Sequence, residues 1–228
     1  MSKYNRTMHF PFSPEIHSDD KTLDQKDIEN FIGKEIVITE KADGGNACLT
    51  NKQVYARTHS EPASHGSFSM LKALNDYFVS FGLLDGDMRI YGENMQGIHS
   101  IDYGFLKSPF YIFNIFYNNE WYSWDDVESV ASFLNIPTVP VVFRGVFNSE
   151  KELRDFLDKE IDKPSLFNES AEREGFVVRK VEAFKNEDFS KSIAKYVRKG
   201  HVQTDEHWSN NWKQAQIDPE FFDKIFIS

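Results

Sequence analysis

A lysine placed between two short apolar segments, directly before a turn, constrains this chain more than any other feature. Residues 35 to 57 read EIVITEKADGGNACLTNKQVYAR, and Lys41 ends the first apolar run. Asp43, Gly44 and Gly45 follow, and Asp-Gly and Gly-Gly pairs supply the positive φ angles that two-residue hairpin turns require. The pattern predicts a β-hairpin beside Lys41. An isolated lysine of this kind is usually solvated, so any further role depends on the rest of the chain.

Composition limits the class of protein. The chain has 228 residues, 40% of them apolar and 15% aromatic, which is enough to bury the core of one large domain. The net charge of −10 argues against a protein that coats nucleic acid, so any phosphate site must be a local patch. The single cysteine, Cys48, has apolar neighbours and is expected to be a buried structural thiol. A chain with one cysteine, no signal-peptide pattern and no apolar run of bilayer length is expected to be soluble and cytoplasmic.

Helix and strand patterns alternate along the chain. Apolar periodicity and capping residues predict helices over 23–32 and 67–81, and helices that begin after Ser123 and Ser149. Strand patterns cover 35–41, 88–94, 110–117, 141–147, 174–184 and 192–199. Residues 1–30 are a polar, turn-rich lead-in, and a short helix plus loop is expected from residue 204 onward. Hairpin signals favour an α+β fold with antiparallel sheets over a doubly wound parallel sheet.

Charged residues stand at the ends of the predicted strands. They are Lys41, Arg57, Glu93, Glu174 and Lys195. A phosphoryl group under attack requires cations beside it, and a divalent metal ion requires hard oxygen ligands such as carboxylates. Three cations and two carboxylates that converge on one cleft would therefore suit nucleotidyl transfer.

A lysine that acts as a nucleophile must be deprotonated. The ordinary lysine pKa of about 10.4 leaves about one amine in a thousand free at neutral pH. Burial or neighbouring positive charge lowers this pKa. We expect Arg57, Lys195 and a bound metal ion to supply that charge, and Glu40 and Asp43 to oppose it if they point the same way.

Five segments in order carry a resemblance to the covalent nucleotidyltransferases, which include polynucleotide ligases and mRNA capping enzymes. KADGGN at 41–46, ENMQGIHS at 93–100, FYIFNI at 110–115, EGFVVR at 174–179 and SIAKYVRKGH at 192–201 resemble motifs I, III, IIIa, IV and V. The flanking segments KYNRTMHFPFSP, SDDK and KYVRKGHVQTDEHW are similar to a family of short bacterial and phage RNA ligases. The resemblance implies one α+β nucleotidyltransferase domain over 1–228, an ATP-grasp-like ligase domain of antiparallel sheets flanked by helices around a central nucleotide cleft.

The resemblance also implies a reaction. Lys41 would attack the α-phosphate of ATP, release pyrophosphate and form a lysyl-AMP intermediate. AMP would pass to a 5′-phosphate end of RNA, and a 3′-hydroxyl would then close the break. Mg²⁺, or Mn²⁺, would be held by Glu93 and Glu174.

The remaining roles are implied position by position. Arg57 and Lys195 would contact phosphate, Glu93 the ribose hydroxyls, and Asn46 would act in the later steps. Phe113 would stack on adenine, although a core position is the alternative for a buried aromatic residue. The implied nucleotide-binding set is Glu40, Arg57, Glu93, Phe113, Glu174, Lys195 and Arg198.

The chain departs from the wider pattern in two places. Many ligases have a second lysine in motif V, and here either Lys191 or Arg198 replaces it or the contact is absent. About thirty residues follow motif V, so no separate OB or other C-terminal domain is expected. RNA binding would then depend on a protein partner, on dimerisation, or on residues 173–201, where eight Lys or Arg stand against four Asp or Glu.

Other readings stay open. A DNA ligase, a capping-type guanylyltransferase and a non-catalytic nucleic-acid-binding protein of the same fold would share these motifs. His201 and His207 match no zinc pattern and are expected to contact solvent or nucleic acid. Arg6 and His9 would approach the nucleotide if the lead-in folds back over the cleft.

Overall fold

The computed structural model describes residues 4–57, 61–200 and 212–226. The strands, in chain order, are β1 (Met8–His9), β2 (Glu35–Lys41), β3 (Gly45–Thr50), β4 (Tyr55–Ala56), β5 (Arg89–Asn94), β6 (Gly97–Ile98), β7 (Phe105–Leu106), β8 (Phe110–Tyr117), β9 (Glu120–Trp121), β10 (Val141–Val146), β11 (Gly175–Lys180), β12 (Phe184–Lys185), β13 (Ile193–Val197), β14 (Lys213–Gln214) and β15 (Gln216–Ile217). The α-helices are α1 (Ser69–Ser80), α2 (Trp124–Phe133), α3 (Glu150–Glu160) and α4 (Phe221–Phe226). Three 3₁₀ helices cover Gln25–Phe31, Gly66–Phe68 and Asn186–Lys191.

Two large sheets organise the molecule. The first has five strands in the order β1-β13-β11-β2-β10, and the second has six in the order β12-β9-β8-β5-β3-β4. Their pairings are antiparallel except that β1 runs parallel to β13. Two small sheets pair β14 with β6 and β15 with β7. The expected α+β fold of antiparallel sheets and helices is confirmed.

Elements with strong local signals begin and end close to their predicted bounds. Strand β8 covers residues 110–117 as predicted and lies between β5 and β9. The Ser123 hydroxyl accepts a hydrogen bond from the Asp126 amide at 3.1 Å and starts α2. The Ser149 hydroxyl accepts one from the Glu152 amide at 3.2 Å and starts α3. These caps satisfy amides that have no partner within the first helical turn.

The predicted hairpin beside Lys41 is wrong. Strand β2 pairs with β10 and β11, whereas β3 pairs with β4 and β5, so residues 42–44 carry the chain from one large sheet to the other. Neither Gly44 nor Gly45 lies in the left-handed region. A Cβ atom on Gly44 would lie 2.7 Å from the carbonyl oxygen of Asn94. Glycine is therefore required here by a close contact rather than by a turn.

The lead-in, described from residue 4 onward, contributes side chains to the folded core. Phe10, Leu23, Ile28 and Phe31 are at most 3% exposed and pack in the cluster beneath the five-stranded sheet. The helix predicted over 23–32 is the 3₁₀ helix Gln25–Phe31. The lead-in is thus ordered by the same apolar burial that holds the sheet.

Three smaller expectations have mixed outcomes. The strand predicted over 174–184 is shorter, because β11 ends at Lys180 and β12 pairs separately with β9. Cys48 is buried as expected, and burial raises the pKa of its thiol to about 12. In the tail expected to hold a short helix and loop, the described residues 212–226 include the short helix α4 (Phe221–Phe226) after β14 and β15, and residues 204–211 fall outside the described residues. None of the helices in the described ranges has the length and apolar character to cross a bilayer.

Candidate active site

A cleft of about 730 Å³ is lined by residues of both large sheets and of the lead-in. Eight of the predicted site residues line it: Glu40, Lys41, Asn46, Arg57, Glu93, Phe113, Glu174 and Lys195. These residues are separated by up to 155 positions in sequence, so the fold brings them together. The ninth predicted residue, Arg198, is not among the residues that line the cleft.

Lys41 occupies the last position of β2, opposite Gly175 of β11. This register places its side chain beside Glu174, the residue that precedes β11. The Lys41 Nζ atom lies 2.5 Å from Oε1 of Glu174. The Lys41 side chain is 24% exposed and the Glu174 side chain 1%, so ligand can reach the lysine while its partner is buried. Such a charge-assisted pair is strong because water is largely excluded from it.

The electrostatic field around Lys41 is opposite to the one expected. Burial favours the neutral amine, but Glu174, Glu93 and Asp43 outweigh it and raise the lysine pKa. The expectation that Arg57 and Lys195 would lower this pKa is therefore wrong for the protein without ligand, because the charges that act most strongly on Lys41 are carboxylates. At neutral pH Lys41 is an ammonium group, and it must lose a proton before it can attack.

Glu93 provides a second carboxylate in the cleft. It lies on β5, opposite Asn46 of β3. Burial raises its pKa to about 8, and Glu174 and Asp43 contribute to the increase while Lys41 opposes it. A bound cation would favour the charged form of the Glu93 carboxylate. Within the described ranges no group of three or more His, Cys, Asp or Glu side chains could hold a metal ion, so protein ligands alone would leave most coordination positions of a metal open.

Asp43 anchors the loop that follows β6. Its Oδ2 atom accepts hydrogen bonds from the amides of Ser100 at 2.7 Å and Ile101 at 2.6 Å. The Asp43 amide donates to the hydroxyl of Tyr103 at 3.0 Å. These bonds hold His99 at the wall of the cleft. Sequence reasoning missed His99, although the segment ENMQGIHS that contains it was the signal that could have identified it.

The Glu40 carboxylate is directed away from the Lys41 side chain, as alternation along a strand requires. Its oxygens accept hydrogen bonds from the Ser165 hydroxyl at 2.5 Å and the Leu166 amide at 2.7 Å. Arg173 Nε lies 3.7 Å from it. The carboxylate therefore fixes the 165–166 loop, and the backbone of Glu40 is its remaining means of contact with a nucleotide.

Arg198, which the resemblance assigns to nucleotide binding, does not line the cleft in this structure. Lys195 and Val197 share the cleft face of β13, and Arg198 follows the strand and forms an ion pair with Glu172. Lys191 pairs with Asp188 at 3.4 Å, and it does not line the cleft either. The other residue on the cleft face of β13, at position 197, is a buried valine.

The basic segment 173–201 is a weaker anion surface than its composition indicates. Arg173 and Arg179 are 3% and 2% exposed. Arg173 donates to the carbonyls of Pro164 and Glu160, and Arg179 donates to Asn114 and to the carbonyls of Lys180 and Tyr122. Two of its eight cations are therefore structural.

The remaining predicted residues lie where a ligand can reach them. Phe113 is half-buried at the cleft, and its ring meets the edge of Tyr4 at a centroid distance of 5.4 Å. The Oδ1 atom of Asn46 is buried and has no hydrogen-bond partner among the described residues. Arg57 is exposed at the cleft. Arg6 and His9 also line the cleft, because the lead-in folds against it, whereas His201 and His207 fall outside the described residues.

A protein-family model described as RNA ligase matches residues 34–197, which include all of the cleft strands from β2 to β13. The chain belongs to the RNA ligase family. No curated protein gives a significant match to the sequence. Within this RNA ligase domain, the matched range begins before Lys41 and ends two residues after Lys195.

Solved structures of another RNA ligase share the fold. Naegleria gruberi RNA ligase with PPi is 19% identical with a TM-score of 0.59, and the match covers 86% of this chain and 56% of that chain. A mutant of the same ligase with ATP and Mn is 18% identical with a TM-score of 0.58, and a mutant with AMP and Mn is 18% identical with a TM-score of 0.59, both with the same coverage. The chain therefore spans a little over half the length of these ligases.

Proposed function

We propose that this member of the RNA ligase family is an ATP-dependent enzyme that joins RNA ends through a lysyl-AMP intermediate. The observation that carries the proposal is the convergence of Lys41, Glu93, Glu174 and Lys195 in one cleft, from four separate segments of both large sheets. A solvated lysine in a plain hairpin would have none of these neighbours.

In the first step, Nζ of Lys41 attacks the α-phosphorus of ATP. A nitrogen–phosphorus bond forms, the bond to the bridging oxygen breaks, and pyrophosphate leaves. The lysine must first release its proton, and Oε1 of Glu174 at 2.5 Å is a base within hydrogen-bond distance. Lys195 lies in the same cleft and neutralises charge on the phosphate.

Two carboxylates of the cleft fit a divalent metal ion. Glu93 and Glu174 would hold Mg²⁺ or Mn²⁺, because Mg²⁺ in nucleotide enzymes is usually bound by one or two carboxylates together with substrate phosphates and water. Burial, with the negative charges of Glu174 and Asp43 added to it, raises the pKa of Glu93 to about 8, and a bound cation would favour the ionised carboxylate. When bound, the ion supplies positive charge beside the reacting phosphate. The Naegleria ligase with ATP and Mn supports this choice of cofactors.

The other residues would hold the nucleotide and the RNA ends. Phe113 offers an aromatic face to adenine, and Arg57 at the cleft contacts phosphate. Asn46, whose buried Oδ1 lacks a partner in the described structure, is available for the transfer of AMP to a 5′-phosphate and for attack by the 3′-hydroxyl. A partner protein, dimerisation or the cations of segment 173–201 would supply further contacts to RNA.

The test is covalent labelling. The purified protein is incubated with Mg²⁺ or Mn²⁺ and α-labelled ATP, denatured, and examined for bound label. We expect the wild type to be labelled. The label bound to Lys41→Ala should be at least about 100-fold lower than that bound to the wild type, because the nucleophile is removed. Lys151→Ala is the matched control, since Lys151 pairs with Asp155 on the exposed surface of α3.

The outcomes separate the alternatives. Equal labelling of Lys41→Ala and wild type, with both variants folded by circular dichroism, would refute the nucleophile assignment. Label from GTP in place of ATP would indicate a capping-type guanylyltransferase. Joining of nicked DNA but not of RNA carrying a 5′-phosphate and a 3′-hydroxyl would indicate a DNA ligase.

A further inference from the structure

The lead-in brings a second group of polar side chains to the cleft, next to Lys195. Strand β1 runs parallel to β13, with His9 opposite Lys195. Arg6 lies three residues before His9 and also lines the cleft. This arrangement is anchored by backbone bonds from the His9 amide to the Lys21 carbonyl and from the Leu23 amide to the His9 carbonyl, both 2.8 Å. The side chains of Arg6, His9 and Lys195 thus meet on a fixed framework.

One carboxylate oxygen stands at the centre of this group. Oδ1 of Asp20 lies 3.2 Å from Nε2 of His9, 3.5 Å from Nζ of Lys195 and 3.7 Å from Nη2 of Arg6. Hydrogen bonds between a cation and an anionic oxygen are normally about 2.7–2.9 Å. The two cationic contacts are longer, so Asp20 forms a close bond with neither cation, and Nη2 of Arg6 donates instead to the Asp19 carbonyl at 2.5 Å. A larger anion with several oxygens would reach both.

Asp20 is held in place as an anion. The His17 amide donates to its Oδ2 at 3.0 Å. This bond and the charges of Lys195 and His9 outweigh burial and keep the Asp20 pKa low. Its side chain is 15% exposed, and the neighbouring segment 16–19 is exposed to solvent, so the carboxylate is at the surface of the cleft rather than in the core.

The position of Arg6 matters because β13 supplies only one cation. Lys195 faces the cleft, position 197 is a valine, and Arg198 pairs with Glu172 outside it. The half of the cleft around Lys41 is acidic, with Glu93, Glu174 and Asp43 acting on the lysine. Arg6 and Lys195 therefore add two cations to the cleft lining, both beside the Asp20 carboxylate.

We infer that Arg6, His9 and Lys195 form a phosphate-binding subsite, and that the Asp20 carboxylate occupies it until a phosphate group displaces it. The inference rests on the proposed function for the source of the phosphate, which is either the triphosphate of the nucleotide or the 5′-phosphate of an RNA end. Strand β13 provides only Lys195, and Arg6 of the lead-in provides the second cation of the subsite. Its guanidinium can contact two phosphate oxygens at once.

Binding measurements with non-reacting ligands test the subsite. Isothermal titration calorimetry of the full chain, in the absence of ATP, uses four ligands. They are pyrophosphate, adenosine, and one RNA oligomer prepared in two forms, with a 5′-phosphate or with a 5′-hydroxyl. We expect Arg6→Ala to weaken binding of the phosphate ligand by about 10-fold and Asp20→Asn to strengthen it by about 3-fold or more, because a cation or a competing anion is removed. Adenosine and the 5′-hydroxyl RNA lack the phosphate and should bind each variant equally.

Asp19→Asn is the matched control, since Asp19 is 84% exposed, contacts Arg6 and does not approach Lys195 in the described structure. It should change no affinity by more than about 2-fold, as expected for a surface ion pair. A change confined to pyrophosphate assigns the subsite to the nucleotide, and a change confined to 5′-phosphate RNA assigns it to the RNA end. Unchanged affinities in folded Arg6→Ala and Asp20→Asn proteins would overturn the inference. Covalent labelling from ATP in those same variants would show that the proposed function stands independently.

Discussion

At the residue scale, the ion pair between Lys41 and Glu174 defines the resting state of the cleft. The pair keeps the amine protonated, because three carboxylates act on it and raise its pKa. A nucleophile in this state does not react until its proton moves and the carboxylates are neutralised. Activation of Lys41 is therefore coupled to the arrival of ligands in the cleft.

His9 should make stability depend on pH. Burial lowers its pKa from 6.5 to about 4, with a further contribution from Lys195. The unfolded chain binds a proton at this position below about pH 6.5, and the folded protein does not until about pH 4, so stability falls as the pH drops through this window. The shift corresponds to about 3 kcal/mol in the free energy of unfolding at most. Urea unfolding of wild type and His9→Gln at several pH values between 4 and 7.5 measures how the free energy of unfolding depends on pH.

The His9→Gln variant should lose part of the pH dependence between 4 and 6.5. His17→Gln is the control, because the His17 side chain is 56% exposed. Identical pH profiles for wild type and His9→Gln would show that the buried imidazole does not govern acid stability.

Several site residues could be predicted from sequence because motif order and strand ends identify them. Lys41, Glu93, Glu174 and Lys195 do line one cleft. The direction of a side chain was harder to predict, since it depends on the strand face that meets the cleft; Arg198 follows β13 and pairs with Glu172 instead of lining the cleft. The contact between Asp20 and Lys195 joins residues 175 positions apart, and no local pattern reveals it.

At the scale of elements, the crossing at 42–44 determines how the two large sheets meet. It follows directly after Lys41, so the proposed nucleophile lies where the chain leaves one sheet for the other. Helices α2 and α3 could be predicted because caps and apolar periodicity are local signals. The hairpin prediction failed because the partners of β2, strands β10 and β11, are more than 90 residues away along the chain.

Gly44→Ala should disrupt this crossing. The added Cβ would lie 2.7 Å from the Asn94 carbonyl oxygen and 2.9 Å from Cγ of Glu93. The backbone at Asn94 and the side chain of Glu93 would therefore have to move. We expect a loss of roughly 1–3 kcal/mol in the free energy of unfolding, as for other overpacked positions. Labelling of Lys41 should fall as well, since Glu93 is displaced.

Gly45→Ala is the matched control for that experiment. A Cβ atom there would have its nearest neighbours at 3.9 Å, an ordinary contact distance. Urea unfolding and covalent labelling are compared for both variants. Equal stability of Gly44→Ala and Gly45→Ala would mean that the crossing tolerates a side chain and that the close contact has little energetic weight.

At the scale of the whole molecule, the lead-in joins the sheet, the core and the cleft. Phe10 is fully buried and its ring lies parallel to Phe12 at a centroid distance of 5.0 Å and near Phe31 at 5.3 Å. Polar composition concealed this role, because only a few apolar residues in the segment carry the packing. The segment nevertheless contributes both to the core and to the lining of the cleft.

Phe10→Ala should therefore destabilise the whole protein. Removal of a buried phenylalanine typically costs about 3–5 kcal/mol, because apolar contacts are lost and a cavity remains. Phe81→Ala is the control, since Phe81 is 65% exposed and its truncation should cost less than about 0.5 kcal/mol. Thermal or urea unfolding of both variants gives the comparison. A similar midpoint for the two would show that the lead-in is dispensable for folding.

The crossing after Lys41 also limits how the cleft can open. Only residues 42–44 separate Lys41 at the end of β2 from Gly45 at the start of β3. Each residue of an extended chain spans at most about 3.6 Å, so these two strand ends can never be more than about 14 Å apart. Residues 42–44 therefore tether the two large sheets, which form the walls of the cleft, to each other beside Lys41. Any widening of the cleft must therefore be smallest beside Lys41 and larger away from this crossing.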